Sequence, residues 1–526
     1  MEYKPDKYFE IDIFSHHFVV KNMSPRGFEI AAKFARNFIE YKWDRGQKVA
    51  VQTYAAFIRK KGHIHFHIGC YKQWKNYLLD IGVPEHGWTE LAYGYVEPEP
   101  LNCSITTAFP PRDYQLEIFN TYLKVPDPSW RKFVGIDPGR GKTYLGSWAA
   151  ADYNFRIVGF LKPMFLKKWP DDLVKNLGMD LDDIVCVAGA AKLMDVITRA
   201  KEGTLTEKAI LISNRTYMNY INLYEEHGDE ILNMGYDCTP PQFCQVIRAG
   251  TRIEDEVHEE FFSMFKIDLY THILRSISLS ATLEDDDAFT EAMYKIAYPI
   301  EERCKIVVRA KYIKSIALRY HIKHGTELAT TERGSTMYSH IAFEKNFYTK
   351  RYGWLMDHYL NLINERFEER FLMRYEDGQK CLIYAASIQM CTTIVDYLKQ
   401  KHRGLSVSVR DLDKQPPPGA DPQGLDVRRY VGEDPYDNLM NATVCVSTLG
   451  SAGTGHDIPG LITVIMTHSL RARKKNIQGP GRLREKEGVD MEFEYFTCKD
   501  IPKQMEYHIA KELLLPARMK ECVIYD

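Results

Sequence analysis

The run RKFVGIDPGRGKTYLG, Arg131 to Gly146, constrains this chain more than any other stretch. Its apolar head FVGI reads as a buried strand, and TYLGSWAAADY behind it reads as a helix. The glycines at 139 and 141 let the backbone turn tightly and aim its N–H groups inward. A helix start placed there adds partial positive charge. Strand, glycine turn and helix entered through Gly-Lys-Thr make a phosphate cradle, in which Lys142 reaches the β- and γ-phosphates and the Thr143 hydroxyl is a ligand for Mg²⁺. The strict pattern needs a glycine where this chain has Ile136, so the shorter form Asp-Pro-Gly-Arg-Gly-Lys-Thr carries the expectation. The alternative is an ordinary glycine-rich turn with a chance Gly-Lys-Thr.

The surroundings repeat the strand–helix alternation. RIVGFL, DIVCVAG, KAILIS, FCQVIRA and SISLSAT are further buried-strand candidates. Short apolar strands alternating with helices predict a parallel sheet covered on both faces. A helix-rich stretch runs from about Leu318 to Arg374, and a second α/β series begins at KCLIYAAS and continues through ATVCVST and LITVIMTH. DKQPPPGADPQG reads as an exposed loop within it. Before all this, residues 1–103 read as a smaller mixed α/β region. FEIDIF, KVAVQTY and HIHFHIG are its strands, GFEIAAKFARNFIEY and QWKNYLLDIG its helices, and EPEPLN the linker that follows. The organisation predicted is an accessory domain over 1–103, a first α/β domain over 104–297 and a second over 298–526.

The chain has 526 residues and a net charge of -2, so any affinity for nucleic acid must come from local basic patches. Its 11 cysteines form no C-x-x-C pair, which argues against a zinc finger or a disulfide framework and fits a reducing compartment. The N-terminus lacks the apolar core of a secretory signal, and no run approaches the roughly 18 apolar residues of a membrane helix. The expectation is a cytoplasmic protein, in a host cell if the chain is viral.

A second motif narrows the chemistry. IEDEVHEE places Asp255, Glu256 and His258 roughly a hundred residues after the glycine loop. Asp255 is expected to hold Mg²⁺ through its water shell, and Glu256 to orient and deprotonate an attacking water. An acidic surface patch is the bland alternative.

Together these segments resemble a superfamily 2 helicase of the DExH type. The remaining segments fall in the order that family has. The resemblance implies that RDYQ, with Arg112 and Gln115, recognises the adenine, and that Pro138, Gly139, Arg140, Gly141, Lys142 and Thr143 hold the phosphates. It implies backbone contacts to nucleic acid at Lys162 and Pro163, at Asn214, Arg215 and Thr216, and at Ser387 and Thr448. SAT, Ser280 to Thr282, would couple hydrolysis to motion through His258. Asp457 would touch nucleotide as well as nucleic acid, and QGPGRLR would supply Gln478 and the arginine finger Arg482. The family spacing puts a second arginine where this chain has Glu485; Arg484 lies one position early, which leaves the second finger open. A finger stabilises γ-phosphate charge only when the two domains close, which links hydrolysis to movement.

The layout also resembles the UvsW-type helicases of tailed phages, which act on branched DNA in recombination and replication. The fold implied is α/β, two tandem RecA-like parallel-sheet domains preceded by a small mixed α/β N-terminal domain. The cofactors implied are ATP and Mg²⁺. The partners implied are single-stranded and branched DNA, with a single-strand-binding or replisome protein besides. An RNA helicase and the motor subunit of a restriction or nuclease assembly are the competing readings.

Weaker signals remain. His63, His65 and His67 alternate along one strand face, as a metal site would or as a half-exposed polar face does. RARKKN, Lys162, Lys167 and Lys168 can face phosphate or solvent. Trp169 can stack on a base or anchor a helix, and Tyr41, Trp43 and Tyr54 can stack or pack a core.

Overall fold

The computed structural model describes all residues except 1–6, 45–46, 107–109, 125–130, 307, 309–310, 334, 336, 403–425 and 453–456. The proline-rich DKQPPPGADPQG therefore lies outside the described residues. The chain divides into two compact units, Met1–Ile136 with Gly141–Val307, and Asp137–Arg140 with Val308–Asp526. No described helix is long and apolar enough to cross a membrane.

In the first unit the accessory sheet holds β1 (Phe9–Ile13), β2 (His17–Lys21), β5 (Ala56–Ile58), β6 (His63–His67) and β7 (Trp88–Ala92), in the order β5-β6-β2-β1-β7. All of its pairings are antiparallel except β1 with β7. β3 (Ile39–Asp44) and β4 (Gln47–Thr53) form a separate two-stranded ribbon. The helix read as GFEIAAKFARNFIEY ends at Ala35, and its tail enters β3. Ser24 caps that helix from the Gly27 N–H, with Pro25 in its first turn.

The same unit carries a parallel six-stranded sheet of β8 (Arg131–Gly135), β9 (Ile157–Leu161), β10 (Ile184–Val187), β11 (Ala209–Ser213), β12 (Thr251–Glu254) and β13 (Arg275–Ser280), in the order β10-β11-β9-β12-β13-β8. FCQVIRA, expected as a strand, is helical: Pro240–Val246 is an α-helix opened by a Thr239/Gln242 capping box. The strand that precedes the acidic motif is the short TRIE instead.

The accessory sheet and the parallel sheet share one apolar core, from Phe9, Phe66 and Trp74 to Phe160 and Phe265. The linker is part of this packing, with Leu101 buried and the Glu99 N–H bonded to the Arg248 carbonyl. The histidine row lies in the seam. His65 Nδ1 meets the Leu269 carbonyl at 3.0 Å, and His67 Nε2 meets Asp268 Oδ2 at 3.1 Å. Both are buried, and burial pushes the His65 pKa down to about 3. His63 is half-exposed as expected, whereas His65 and His67 are buried with ring nitrogens on protein groups. Among the described residues no group of three or more His, Cys, Asp or Glu is placed to hold a metal ion. Tyr54 also packs inward, edge-on to Phe265 at 4.9 Å, whereas Tyr41 stays exposed on the ribbon under Lys48. The side chain of Trp43 lies outside the described residues.

Asp268 also binds the fully buried Arg252, which pairs in turn with Glu254 of the same strand β12. Replacing His67 by leucine removes a donor from this enclosed carboxylate. The expected cost is about 1–3 kcal/mol, read as a lower urea midpoint of the first unit's transition.

The second unit is a parallel seven-stranded sheet of β14 (Ile313–Tyr320), β15 (Lys380–Ala385), β16 (Val427–Tyr430), β17 (Val444–Thr448), β18 (Leu461–Met466), β19 (Met491–Cys498) and β20 (Glu521–Tyr525), in the order β16-β17-β15-β18-β19-β14-β20. The series thus opens with β14, before the helix-rich stretch, rather than at Lys380. The fold is α/β, a mixed N-terminal sheet followed by two parallel-sheet domains, as expected.

Candidate nucleotide site

The candidate site of the first unit lies at the C-terminal ends of β8, β12 and β13, where ligands of open parallel sheets sit. β8 ends at Gly135, and the helix Lys142–Tyr153 starts immediately after Gly141. Gly139 and Gly141 both have φ of 75°, a conformation that a side chain would strain. A Cβ on Gly141 would also lie 2.3 Å from Gln115 Nε2. Gln115 is itself buried, and its Oε1 accepts from the Arg112 N–H at 2.9 Å. The segment expected to read adenine therefore abuts the glycine turn. Gly141→Ala is expected to abolish nucleotide binding and to cost about 1–2 kcal/mol of stability; a fluorescent-nucleotide titration beside a melting curve checks both.

Lys142 is buried, with Nζ 3.1 Å from Glu256 Oε1 and 3.5 Å from the Ile136 carbonyl. Asp255 and Glu256 follow β12 directly. Asp255 Oδ1 accepts the Glu256 N–H at 2.9 Å, and Glu256 takes a positive φ of 48°, rare for a residue with a side chain. Burial, and then the Glu256 charge, raise the Asp255 pKa to about 6 against the pull of Lys142. The Trp169 indole N–H donates to Asp255 Oδ2 at 3.2 Å. Trp169 is thus buried, the helix anchor of the two readings, and it also holds Asp255. Its place at the head of the buried series Trp169, Leu173 and Leu177, on one face of the helix Lys168–Leu177, was the sequence signal for burial. His258 Nδ1 sits 2.9 Å from Ser280 Oγ and 3.4 Å from Glu256 Oε2. Ser280 Oγ in turn accepts from the Thr282 N–H at 3.2 Å. The acidic motif and the SAT segment are therefore hydrogen-bonded through His258.

The residues present fit a triphosphate with a divalent cation. Glycines at 139 and 141 leave the backbone N–H groups there uncovered by a Cβ of their own, and Lys142 supplies a cation. The Thr143 hydroxyl and the Asp255 carboxylate are the oxygen donors that hard cations prefer.

The residues expected to touch nucleic acid have varied surroundings. The Lys162 amine is bound to Glu259, and Pro163 opens a 3₁₀ turn. Asn214 is fully buried, Thr216 Oγ1 accepts from the Gly189 N–H at 2.8 Å, and Arg215 is exposed. In the second unit Ser387 Oγ donates to Glu344 at 2.5 Å, and Thr448 Oγ1 lies 3.0 Å from Ser451 Oγ. Of these groups the Arg215 and Pro163 side chains are exposed.

The second unit includes the tip of the glycine turn by its contacts. Asp137 pairs with Arg518, both buried. Arg140 Nη1 lies 2.9 Å from Glu485 Oε2, and its guanidinium sits over Tyr312 at 4.6 Å. Pro138 lies against Gly481. The two arginines of QGPGRLR differ. Arg482 is buried and hydrogen-bonded with Tyr384. Arg484 pairs with Asp457 at 2.9 Å, and its Nη1 lies 2.7 Å from where a Gly139 Cβ would be. Gln478 is half-buried at the end of the helix Arg473–Gln478. Neither Glu485 nor Arg518 was an expected site residue. Glu485 stands where the family spacing puts an arginine, and nothing local marks Arg518.

No family profile and no curated protein sequence matches this chain. Among solved structures, the crystal structure of T4 UvsW is similar at 12% identity and a TM-score of 0.32, over 98% of this chain and 99% of that one. S. cerevisiae Dbp5 bound to RNA and ADP BeF3 is similar at 11% identity and 0.47, over 79% and 90%. Mss116p bound to single-stranded RNA and AMP-PNP is similar at 13% and 0.47, over 80% and 75%.

Proposed function

We propose that this chain hydrolyses ATP to drive movement on nucleic acid. The observation that carries the reading is the buried Lys142–Glu256 pair beside Asp255, at the helix start that follows Gly141. Lys142 and the N–H groups of the turn bind the phosphates, and Gln115 and Arg112 select the base. Thr143 and Asp255 are the residues that would hold Mg²⁺, which when bound neutralises phosphate charge. Glu256 accepts the proton of the attacking water. His258, between Glu256 and Ser280, relays a change at the carboxylate to the segment ending at Thr282. Arg482 of QGPGRLR is the finger, and Arg484 is the candidate for a second one.

The substrate we favour is branched or single-stranded DNA, on the resemblance in layout to the UvsW-type helicases. An RNA substrate is the second reading. ATP turnover measured with no nucleic acid, single-stranded DNA, a forked duplex and RNA tests both. Stimulation greatest with the fork is the expected result. Stimulation by RNA alone would replace DNA with RNA, and no stimulation by any of them would end the motor reading.

A further inference from the structure

Between β14 and β15 the second unit carries an insert whose surface the proposed mechanism does not use. Trp354 stands at the start of the helix Leu355–Arg370 with 52% of its surface exposed, unusual for the largest apolar side chain. The His324 ring meets its edge at 6.0 Å and an angle of 87°. Behind them Glu327 Oε1 takes His324 Nδ1 at 3.1 Å, and Glu327 Oε2 takes Arg351 Nη2 at 3.1 Å. Arg351 stays 73% exposed on its side chain, and its neighbour Lys350 and the Lys323 beside His324 are exposed too. Glu327 thus ties the histidine that meets the indole to Arg351, and Lys323 and Lys350 are exposed sequence neighbours of that pair.

The patch is built on a fixed base. Asp500 holds the Ile322 N–H at 2.8 Å, and Asn346 bonds Ala329 through both its N–H and its carbonyl. The same insert grips the Ser387 loop. The buried Glu344 accepts the N–H groups of Ala386 and Ser387, each at 2.9 Å, besides the Ser387 hydroxyl. An indole open to water beside exposed cations suits a polynucleotide, whose bases stack and whose phosphates attract charge. Protein interfaces, by contrast, are depleted in lysine at their centres.

We propose that Trp354, with Arg351, Lys350 and Lys323, forms a binding surface for single-stranded nucleic acid, the indole stacking on an unpaired base and the cations lying along its phosphates. This rests on the reading of the chain as a nucleic-acid motor, and the test separates the two. Binding of labelled oligodeoxythymidylate and oligouridylate to the full chain is followed by anisotropy at several salt concentrations, beside tryptophan emission and stimulated ATP turnover. Trp354→Ala is expected to weaken binding about tenfold with an unchanged melting temperature, and Trp354→Phe to retain most of the affinity. Emission should be quenched on binding in the wild type, and that quench should be missing from Trp354→Phe. Lys350→Ala with Arg351→Ala should flatten the salt dependence by about 0.7 in log–log slope for each phosphate that the variant no longer neutralises. If the wild type binds and is stimulated while Trp354→Ala binds equally well, the stacking surface is refuted and the motor stands. An affinity decrease in Trp354→Ala without any emission change in the wild type also refutes it, since the indole then acts through structure. A wild type that neither binds nor responds to either strand overturns both. Equal decreases on the deoxy- and ribo-oligomer would show stacking and charge at work; a decrease on one alone would identify that strand as the ligand.

Discussion

Glu256→Gln should bind ATP at least as tightly as the wild type and turn it over about 10²–10⁴ times more slowly. Both halves follow from the surroundings of the carboxylate. Glu256 faces Lys142 at 3.1 Å, in a site where both are largely shielded from water. An amide there keeps the shape and a hydrogen-bond acceptor but loses the charge that holds the amine, so Lys142 is freer to meet phosphate. The amide cannot accept a proton from water, so the chemical step stalls. Lys142→Ala should behave differently, losing turnover and affinity together because the phosphates lose their cation. Nucleotide titration and steady-state turnover on the same preparations separate the cases. Wild-type turnover in Glu256→Gln would remove it as the base, and wild-type turnover in Lys142→Ala would remove the phosphate turn itself. The Asp255 carboxyl, raised to about 6, adds a pH signature. Only its charged form attracts a cation, so Mg²⁺ affinity should fall as pH drops through that value.

The parts legible in the sequence were those whose signal is local. The glycine turn between β8 and the helix Lys142–Tyr153 is fixed by residue types that tolerate few other conformations. The strands RIVGFL, KAILIS and LITVIMTH are short apolar runs that the sheets bury on both faces. FCQVIRA failed because a short apolar run has no period long enough to separate strand from helix. The deciding signal stood before it, in Thr239, Pro240 and Gln242, which together make a helix start. The histidine row failed differently. Its alternation correctly placed His63, His65 and His67 on β6, but the groups that cover that face, Asp268 and Leu269, lie some two hundred positions away. The Trp169–Asp255 bond was hidden for the same reason. β14 was missed because polar residues interrupt KYIKSIALRY. Distance along the chain, more than subtlety of composition, separates what was read from what was not.

Lys511→Met should stabilise the second unit by up to about 4 kcal/mol at neutral pH, and the gain should vanish in alkali. Lys511 lies in the helix Pro502–Leu514, 1% exposed, and its amine has no hydrogen-bond partner among the described residues. It sits 4.3 Å over the Tyr495 ring. Near it His340 and His468 are buried with depressed pKa values, so these neighbours bring the amine no compensating negative charge. Burial alone lowers the Lys511 pKa from 10.5 to about 7. The sign then follows. Below about pH 7 folding carries the full cost of a charged, buried amine. Between about 7 and 10.5 the unfolded chain holds the proton that the folded chain has released, so wild-type stability from this group rises with pH. Above 10.5 both states are neutral and the cost is gone. Methionine has a similar volume and no charge, so the variant should lack this slope. Urea midpoints of both proteins from about pH 6 to about pH 10 give the answer. A constant gap would mean the gain comes from packing, and no gap at about pH 6 would mean that the amine reaches water or an anion.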